Sequence, residues 1–532
     1  MKPEKKTLGS SLGQRFIICA RGNWNSHCIS DSTGRRLTYG RTLAGSLALA
    51  AAIRNKTPNQ GKIGILLPPS IAAAIANIAA VLAGKVPVNL SYAVSTDYLD
   101  NAIEQCQIKT IISSRAFIKK LPCYESLQGL LFIEDVIAEI SSLEKIKAYV
   151  KARFLPQRFI VPTRAGDDLA TVLFSSGSTG IPKGVMLSHN SILSNIDALI
   201  SIFLLKPHDN LCGVLPFFHS FGFTCCLWMP IISDISATYA HDPLNCDVVG
   251  KIARENHSTL LFAAPTFLQR YTRRIEPDCF ARMRDVIVGA EKLRKNVADA
   301  FEAKFGVRPQ SGYGTTELAP VVSFSLMDHQ STGLYDAGFK EGSVGKPIPG
   351  IELKIVDIDN GNTLPAESEG LLMVKSPSVM LGYLSHPKET AEVLKNGWYN
   401  TGDIASIDQQ GFLTITDRLS RFSKIGGEMI PHLAVEEAYL KALKAEHQLV
   451  VVTAVPEQKR GEELVVLYLP EAGHPNDLHE IITASDIPNI WKPRKDNYIP
   501  IESMPSLGSG KLDIRRLRQI ALAARDAASD GS

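Results

Sequence analysis

The segment best suited to binding a polyphosphate spans residues 175–184 and reads Ser-Ser-Gly-Ser-Thr-Gly-Ile-Pro-Lys-Gly. It follows an apolar run that is typical of a buried strand. Backbone N–H groups, hydroxyl donors and a lysine could together bind phosphate oxygens. The segment is not a Walker A loop, because Pro182 stands where that loop needs its second glycine. We predict nucleotide contacts here, with a flexible surface turn as the alternative, through Ser175, Ser176, Gly177, Ser178, Thr179, Gly180 and Lys183.

Two acidic side chains end short glycine-containing motifs later in the chain. Glu317 closes Tyr-Gly-Thr-Thr-Glu and offers the hard oxygen ligand that Mg²⁺ prefers. Asp403 closes Thr-Gly-Asp and could accept hydrogen bonds from both hydroxyls of a ribose. Tyr313, at the start of the first motif, offers a flat face for adenine. The alternatives are a solvated turn acid for Glu317, a turn or cap aspartate for Asp403, and a core aromatic for Tyr313.

Positive charge is available from Arg418 and Lys511. Fixed cations of this kind could stabilise negative charge that builds on a phosphate group during a reaction. Lys511 follows a late Gly-Ser-Gly, and on its own would be assigned as a surface lysine. His219 lies among four phenylalanines between residues 215 and 223. It is equally compatible with a contact to a substrate carboxylate and with a satisfied core histidine.

The elements that would position these residues alternate between strand and helix. Strands are predicted at 62–67, 86–90 and 110–112, with helices at 71–83 and 97–105 between them. The pattern recurs later, with strands at 170–174, 211–215, 259–263 and 285–288 and helices at 188–202 and 291–305. This alternation predicts parallel α/β layers.

The pattern changes after residue 347. Strands at 351–356 and 370–374, with no long helix between them, predict a small antiparallel or barrel-like piece. A compact α+β segment follows Arg418. We therefore predict an α/β fold: residues 1–418 form a large N-terminal domain of parallel α/β layers plus a small β-barrel-like subdomain, and residues 419–532 form a small mobile α+β C-terminal domain.

Composition excludes several classes of protein. The 532 residues include 57 Lys+Arg and 54 Asp+Glu, so a net charge of +3 argues against bulk nucleic-acid binding. The nine cysteines are odd in number and contain no C-x-x-C pair, which favours free thiols and a cytoplasmic location. The most apolar stretch, residues 71–83, is shorter than the roughly 20 residues that span a bilayer. Peripheral membrane association stays open, although we identify no basic amphipathic helix that requires it.

Together the motifs resemble the adenylate-forming superfamily, which includes acyl-CoA synthetases, peptide-synthetase adenylation domains and luciferases. They occur in the family's order over nearly the whole chain. The resemblance implies ATP and Mg²⁺ as cofactors, with Glu317 and Thr179 on the metal side. It implies adenine-side contacts by two segments, Gly289-Ala290-Glu291 and Tyr313-Gly314-Thr315, and a ribose contact by Asp403. It also implies a catalytic set that consists of Lys511, Thr316, Glu317, Arg418 and His219.

Residues 416–429 indicate which branch of the superfamily the chain resembles. They end in Arg-Phe-Ser-Lys-Ile-Gly-Gly-Glu-Met. This ending is similar to the acyl-[acyl carrier protein] synthetase half of bacterial 2-acylglycerophosphoethanolamine acyltransferases. The acyltransferase half is missing, which implies a standalone enzyme. Ser420 stands where the superfamily usually has Asp or Lys at its hinge. The resemblance implies activation of a long-chain fatty acid to acyl-AMP and transfer to acyl carrier protein.

Local charge suits an acidic carrier, because residues 492–518 hold seven basic and three acidic side chains. Two alternatives stay open. One is a fatty acyl-CoA synthetase, since CoA is also anionic. The other is a non-catalytic acyl- or nucleotide-binding protein, against which the intact Glu317, Asp403, Arg418 and Lys511 argue.

Overall fold

The computed structural model describes residues 10–162, 164–175, 182–327, 338–425, 428–445, 447–457, 461–505 and 512–530, with side chains up to residue 525. The first third of the chain contains α1 (Leu12–Gly22), β1 (His27–Asp31), β2 (Arg36–Thr38), α2 (Tyr39–Lys56), β3 (Lys62–Ile65), α3 (Ile71–Leu82), β4 (Val86–Asn89), α4 (Thr96–Cys106), β5 (Ile111–Ser113), α5 (Arg115–Ile118), β6 (Leu130–Phe132), α6 (Ile133–Glu139) and α7 (Ser142–Phe154).

The middle of the chain contains β7 (Leu169–Ser175), β8 (Lys183–Ser188), α8 (His189–Ile202), β9 (Asn210–Gly213), α9 (Met229–Ile232), β10 (Ser236–Tyr239), α10 (Cys246–Glu255), β11 (Leu260–Ala263), α11 (Pro265–Arg274), β12 (Asp285–Val288), α12 (Lys295–Phe305), β13 (Gln310–Gly314), β14 (Val321–Phe324) and β15 (Lys346–Pro347). A π-helical stretch, Gly222–Trp228, precedes α9.

The last third of the chain contains mainly strands, with four α-helices among its described elements. They are β16 (Glu352–Val356), β17 (Gly370–Lys375), β18 (Gly382–Tyr383), α13 (Pro387–Val393), β19 (Leu394–Lys395), β20 (Trp398–Ile407), β21 (Leu413–Arg418), β22 (Phe422–Ile425), β23 (Glu428–Pro431), α14 (His432–Leu443), β24 (Val450–Glu457), β25 (Gly461–Tyr468), α15 (Pro475–Thr483), β26 (Tyr498–Pro500) and α16 (Ile514–Asp530).

Two sheets before residue 348 are wholly or largely parallel. The larger has the strand order β15-β14-β13-β12-β11-β9-β10-β1-β2. Its central strands, β13, β12, β11, β9, β10 and β1, run parallel to one another. At the edges, β2 pairs antiparallel with β1, β14 with β13, and β15 with β14. The smaller, β4-β3-β5-β6, is parallel throughout. The predicted parallel α/β layers are therefore confirmed, and the apolar stretch at 71–83 is a buried helix.

One predicted unit is wrong. The strand at 170–174 was expected to open a further parallel β-α-β unit, but β7 pairs antiparallel with β8, a strand that the sequence analysis did not identify. β18 adds antiparallel to the other side of β8, which completes a separate three-stranded sheet. The glycine-rich segment consequently connects two strands of a hairpin, with Ser175 and Lys183 directly opposite each other at its base.

The predicted change of architecture after residue 347 is confirmed. β16, β17, β20, β19 and β21 form an antiparallel sheet, and β22–β23 and β24–β25–β26 follow as small separate sheets. The largest apolar core includes residues from Leu12 to Leu413, whereas a second core includes residues from Ile425 to Ile482. These separate cores are compatible with the boundary between residues 418 and 419, which stays a prediction. No helix in the described ranges is long and apolar enough to cross a membrane.

Candidate active site

The motif segments follow neighbouring strands at one edge of the larger sheet. The His219 segment follows β9, residues 289–291 follow β12, and the Tyr-Gly-Thr-Thr-Glu motif begins in β13. These strands run parallel, so their carboxyl ends lie at the same edge. Ligands of open α/β sheets bind at that edge. The fold thus brings together segments that are about a hundred residues apart in the chain.

Asp403 lies at the centre of the polar contacts. It is 3% exposed, and one of its oxygens, Oδ1, lies 3.1 Å from Nε of Arg418. Its other oxygen, Oδ2, accepts a hydrogen bond from the hydroxyl of Tyr313. Burial, with Asp403 as a further cause, raises the pKa of Tyr313 well above its usual value, so this phenol stays protonated and donates. Asp403 in turn raises the pKa of Arg418.

The backbone before Asp403 explains the glycine of the Thr-Gly-Asp motif. Gly402 has φ +71°, a conformation that other residues adopt at a cost. Its N–H donates to Oδ1 of Asn400 at 2.9 Å, and the N–H of Asp403 donates to Oγ1 of Thr401 at 3.0 Å. These local hydrogen bonds within β20 orient the segment so that the Asp403 carboxylate meets Arg418, which is its register partner across β20 and β21.

Glu317 is tied to the glycine-rich hairpin through Tyr383. The Tyr383 hydroxyl donates to Oε1 of Glu317 at 2.9 Å. Tyr383 lies in β18, beside β8, and the Nζ atom of Lys183 lies 5.3 Å from the centre of its ring. Glu317, Tyr383 and Lys183 therefore form one group between the base of the hairpin and the motif after β13.

The rest of that motif is held by close backbone contacts. The N–H of Thr315 donates to the carbonyl of Pro320 at 2.9 Å. A Cβ atom at position 314 would lie 2.1 Å from the same oxygen, which explains Gly314. Oγ1 of Thr316 accepts a hydrogen bond from Ser220 at 3.3 Å. This contact joins the motif to the segment that contains His219.

His219 lies at the border between that polar group and an aromatic cluster. Its half-buried ring is 4.5 Å from the ring of Phe218, and Phe218 packs edge-on against Tyr92 at 4.9 Å. Tyr92 also packs against Phe117 at 5.1 Å. Of the other phenylalanines in the segment, Phe217 and Phe223 belong to the largest apolar core.

The Gly289-Ala290-Glu291 segment lies after β12 as expected. The N–H of Gly289 donates to the carbonyl of Ala263 at 3.2 Å, which places the segment beside the end of β11. Ala290 has φ +72°, which is uncommon for a residue with a side chain. Glu291 is half-buried and lies outside the following helix. The predicted helix start at residue 291 is wrong, because α12 begins at Lys295.

Several predicted residues lie outside the described ranges: Ser176, Gly177, Ser178, Thr179, Gly180 and Lys511. Ser175 and Lys183 fix the two ends of the hairpin in which the first five lie. Lys511 precedes α16, within the C-terminal α+β part. The contacts predicted for these six residues stay predictions.

Two features of the site involve residues that the sequence analysis did not name as site residues. One is the Tyr383–Glu317 hydrogen bond, and the other is a buried ion-pair group beside Arg418. In that group Arg421 lies 3.7 Å from Asp417 and 2.6 Å from Glu436 of α14. The N–H of Leu433 donates to Oδ2 of Asp417 at 3.2 Å. These contacts link β21 to α14 across the short turn 419–421, where the hinge is predicted.

The donor set fits a magnesium ion that is held mainly by nucleotide phosphates. Mg²⁺ usually takes one or two protein carboxylates, phosphate oxygens and several waters. Glu317 supplies one half-buried carboxylate whose orientation Tyr383 fixes. Within the described part of the chain there is no group of three or more His, Cys, Asp or Glu side chains that could hold a metal alone.

Comparisons with known proteins agree with this geometry. A family model described as "AMP-binding enzyme" matches residues 19–384. The long-chain-fatty-acid–CoA ligase of Bacillus subtilis (strain 168) is 26% identical, over 97% of this chain and 95% of that protein. The medium-chain fatty-acid–CoA ligase of Escherichia coli (strain K12) is 27% identical, over 96% of this chain and 90% of that protein.

A solved structure shows the same fold. The o-succinylbenzoate coenzyme A synthetase of Bacillus subtilis, in complex with ATP and magnesium ion, superposes with a TM-score of 0.80 at 21% identity. The match covers 95% of this chain and 99% of that one. The α/β fold of this chain is therefore the fold of that synthetase.

Proposed function

The chain belongs to the AMP-binding enzyme family, and from this premise we propose that it activates a fatty acid with ATP and passes the acyl group to the thiol of an acyl carrier protein. In the first step a carboxylate oxygen attacks the α-phosphorus of ATP, which gives acyl-AMP and pyrophosphate. In the second step the thiol sulfur attacks the acyl carbonyl, which gives the thioester and AMP, and the thiol loses its proton.

The contact between Asp403 and Arg418 is the observation that carries the proposal. It places a buried carboxylate, suited to the hydroxyls of a ribose, next to a guanidinium suited to phosphate oxygens. Glu317 and Lys183 lie on the side of the glycine-rich hairpin, where they would receive the Mg²⁺ ion and the phosphates. Bound Mg²⁺ would screen the phosphate charge. Lys511 would contact both the carboxylate and the α-phosphate.

We place the fatty acid against the aromatic cluster beside His219. Phe218, Tyr92 and Phe117 present an apolar wall, and His219 stands at its polar end. An alkyl chain against this wall would have its carboxylate near His219 and the Thr316 side. The names of the two curated relatives, both fatty-acid–CoA ligases, support the same class of substrate.

The acceptor is supported by exposed positive charge in the C-terminal part. Lys495, Arg515 and Arg516 are exposed there. The basic region predicted over residues 492–518 is smaller than its composition indicates, because two of its arginines pair with acids from β25. These pairs are Arg494–Glu463 at 3.1 Å and Arg518–Glu462 at 3.3 Å.

The second candidate acceptor is CoA, which the names of the curated relatives favour. The two acceptors are separated by supplying a fatty acid, ATP and Mg²⁺ with either holo-acyl carrier protein or CoA, and measuring the thioester formed. We expect kcat/KM for the carrier to be about tenfold higher and to fall steeply with added salt, because exposed charges steer the association of proteins.

Charge reversal supplies the matched test. Arg515→Glu with Arg516→Glu should lower kcat/KM for the carrier about tenfold and leave acyl-AMP formation unchanged. Lys251→Glu, an exposed control on α10, should change neither. Efficient CoA use without a carrier reaction would assign CoA as the acceptor. Absence of any thioester and of any ATP consumption would overturn the proposed function itself.

A further inference from the structure

Helix α7 turns its large apolar side chains away from the protein. Leu143 and Ile146 are each 60% exposed, Val150 is 49% exposed and Phe154 is 74% exposed. Their spacing of three, four and four residues places them along one face of a helix. We call these four side chains the α7 ridge. From residue 143 to residue 154 the helix rises eleven steps, so the ridge extends about 16 Å.

The opposite face of the helix is the buried one. Ala148 and Ala152 are 6% and 0% exposed, and they belong to the apolar core. Arg21 of α1 also holds the helix, since its Nε atom donates to the carbonyl of Ala152 at 2.9 Å. Small residues thus seat α7 on the protein while the larger ones form an exposed ridge. Burial of the ridge is therefore not what folds this helix.

Basic side chains border the ridge. On a helical projection Lys147 and Lys151 fall on one flank and Arg153 falls on the other. Residues 142–160 contain five basic side chains and one acidic one, a net charge of +4 against +3 for the whole chain. An apolar stripe between basic flanks is the pattern of helices that lie in the plane of a membrane interface.

Amphipathic aromatic side chains lie beside the ridge. Nε1 of Trp24 lies 3.3 Å from the hydroxyl of Tyr149, and the two rings meet edge-on at 5.3 Å. The Arg153 guanidinium lies 5.1 Å from the Trp24 ring. Tyr149 is itself 46% exposed. Tryptophan and tyrosine concentrate where apolar and aqueous phases meet.

We propose that the α7 ridge docks this protein on the surface of an anionic lipid bilayer. Leu143, Ile146, Val150 and Phe154 enter the boundary between headgroups and acyl chains, and the flanking cations meet lipid phosphates. The charge distribution argues against a second copy of the chain, because a symmetric contact would set two segments of net charge +4 against each other. The sequence alone did not single out α7 as a helix that would require membrane association.

The proposal is tested by sedimentation of the full chain with vesicles. We expect binding to vesicles of phosphatidylcholine and phosphatidylglycerol, much weaker binding to phosphatidylcholine alone, and loss of binding as salt is added. The triple variant Ile146→Ser, Val150→Ser, Phe154→Ser should bind at least about tenfold more weakly, since binding scales with buried apolar area. Lys147→Glu with Lys151→Glu should also weaken binding at least about tenfold.

A matched control excludes a general effect of exposed apolar side chains. Ile358 is 40% exposed in the connection between β16 and β17, and Ile358→Ser should bind vesicles like the unmodified chain. No binding to either vesicle, or binding that the triple variant retains, would overturn the proposal. A dimer in solution that the triple variant dissociates, or an acidic protein bound through α7 in the absence of vesicle binding, would also overturn it. None of these substitutions touches the candidate active site, so the proposed function and this docking surface fail separately.

Discussion

Asp403 and Arg418 are register partners on adjacent antiparallel strands, and Oδ1 of Asp403 lies 3.1 Å from Nε of Arg418. The carboxylate is buried, whereas 60% of the arginine side chain is exposed. Arg418 is also the last residue before the turn that leads to the C-terminal part. The predicted ribose contact, Asp403, and the residue at the predicted hinge, Arg418, therefore form one ion-paired unit.

This unit predicts non-additive substitutions. Asp403→Asn and Arg418→Gln should each lower kcat/KM for acyl-AMP formation about 100-fold, and the double variant should lose little more, which corresponds to a coupling energy of about 2.7 kcal/mol. Removal of either partner leaves the other charge unpaired, and an unpaired buried charge is unfavourable in free energy. The second substitution therefore removes little further activity. Additive losses would show that the two residues act independently.

An exposed ion pair on the same sheet serves as the control for that cycle. Glu352 and Lys375 lie 3.2 Å apart, with 64% and 48% of their side chains exposed. Replacing either with Gln should leave acyl-AMP formation unchanged, since exposed pairs contribute little.

The hydrogen bond between Tyr383 and Glu317 predicts a change in the magnesium requirement. Glu317→Gln should raise the Mg²⁺ concentration for half-maximal acyl-AMP formation about 100-fold, because a neutral amide is a poorer ligand. Tyr383→Phe should raise it about tenfold, since the carboxylate loses its orienting donor. Glu392→Gln, which alters an exposed carboxylate on α13, should not change it. Titration of the rate with Mg²⁺ measures all three, and an unchanged requirement in Glu317→Gln would reassign Glu317 to a structural role.

The turn after Arg418 predicts a separation of the two half-reactions. Arg418 has φ −78° and ψ 142°, an extended conformation that suits the residue before a proline. Leu419→Pro should therefore fold, but it removes backbone rotation next to the predicted hinge. We expect acyl-AMP formation within about threefold of the unmodified enzyme and thioester formation at least about tenfold slower.

A control variant and separate rates for the two steps are needed to interpret Leu419→Pro. Leu419→Ala removes the same side chain without restricting the backbone, so it should leave both half-reactions close to those of the unmodified enzyme. Single-turnover rates, with ATP and fatty acid or with supplied acyl-AMP and thiol, separate the steps. Equal rates for Leu419→Pro in both steps would place the rotation elsewhere in the chain.

The buried histidine at the start of α8 predicts a pH-dependent stability. His189 is 4% exposed, its Nδ1 accepts the N–H of Leu12 at 3.3 Å, and burial lowers its pKa from 6.5 to about 4. Between these values the unfolded chain binds a proton that the folded chain excludes. The free energy of unfolding should therefore fall as the pH drops from 6.5 towards 4, by about 1.4 kcal/mol per pH unit for this group.

Urea unfolding at several pH values measures this slope. His189→Gln should flatten the slope by about 1.4 kcal/mol per pH unit. Burial also lowers the pKa of His27 to about 4, so His27 makes the free energy of unfolding fall in the same pH range. Part of the slope should therefore remain in His189→Gln. His447→Gln, in which an exposed ring is replaced, is the control. A slope that His189→Gln leaves unaltered would contradict the prediction.

Much of the fold could be predicted because its central strands are buried on both faces. Strands such as β3, β11 and β12 appear in the sequence as short apolar runs between helices. β8 could not be predicted in this way, because it is defined by antiparallel pairing with β7 and with the two-residue strand β18, almost two hundred residues later.

Helix α7 shows a second limit of prediction from the sequence. Periodicity identifies a face of Leu143, Ile146, Val150 and Phe154, and such a face normally points inward. In the structure the alanines point inward instead. Only the packing against the rest of the protein decides which face of such a helix is exposed.

The candidate site shows the same division. Motif resemblance identified Asp403, Arg418, Tyr313 and Glu317 one by one. The contact of Asp403 with Arg418 depends on strand register, and the contact of Glu317 with Tyr383 joins residues 66 positions apart. Neither relationship has a signal in the local sequence, because both depend on which strands become neighbours.

The most direct test of the central claim, that this chain forms an acyl-adenylate, is fatty-acid-dependent exchange of labelled pyrophosphate into ATP. Reversible attack of a carboxylate on the α-phosphate predicts exchange only when fatty acid, ATP and Mg²⁺ are all present, with acyl-AMP detectable by mass spectrometry. Exchange should be lost in Asp403→Ala and in Lys511→Ala. Exchange that needs no carboxylate, or cleavage of ATP to ADP and phosphate without exchange, would contradict the account.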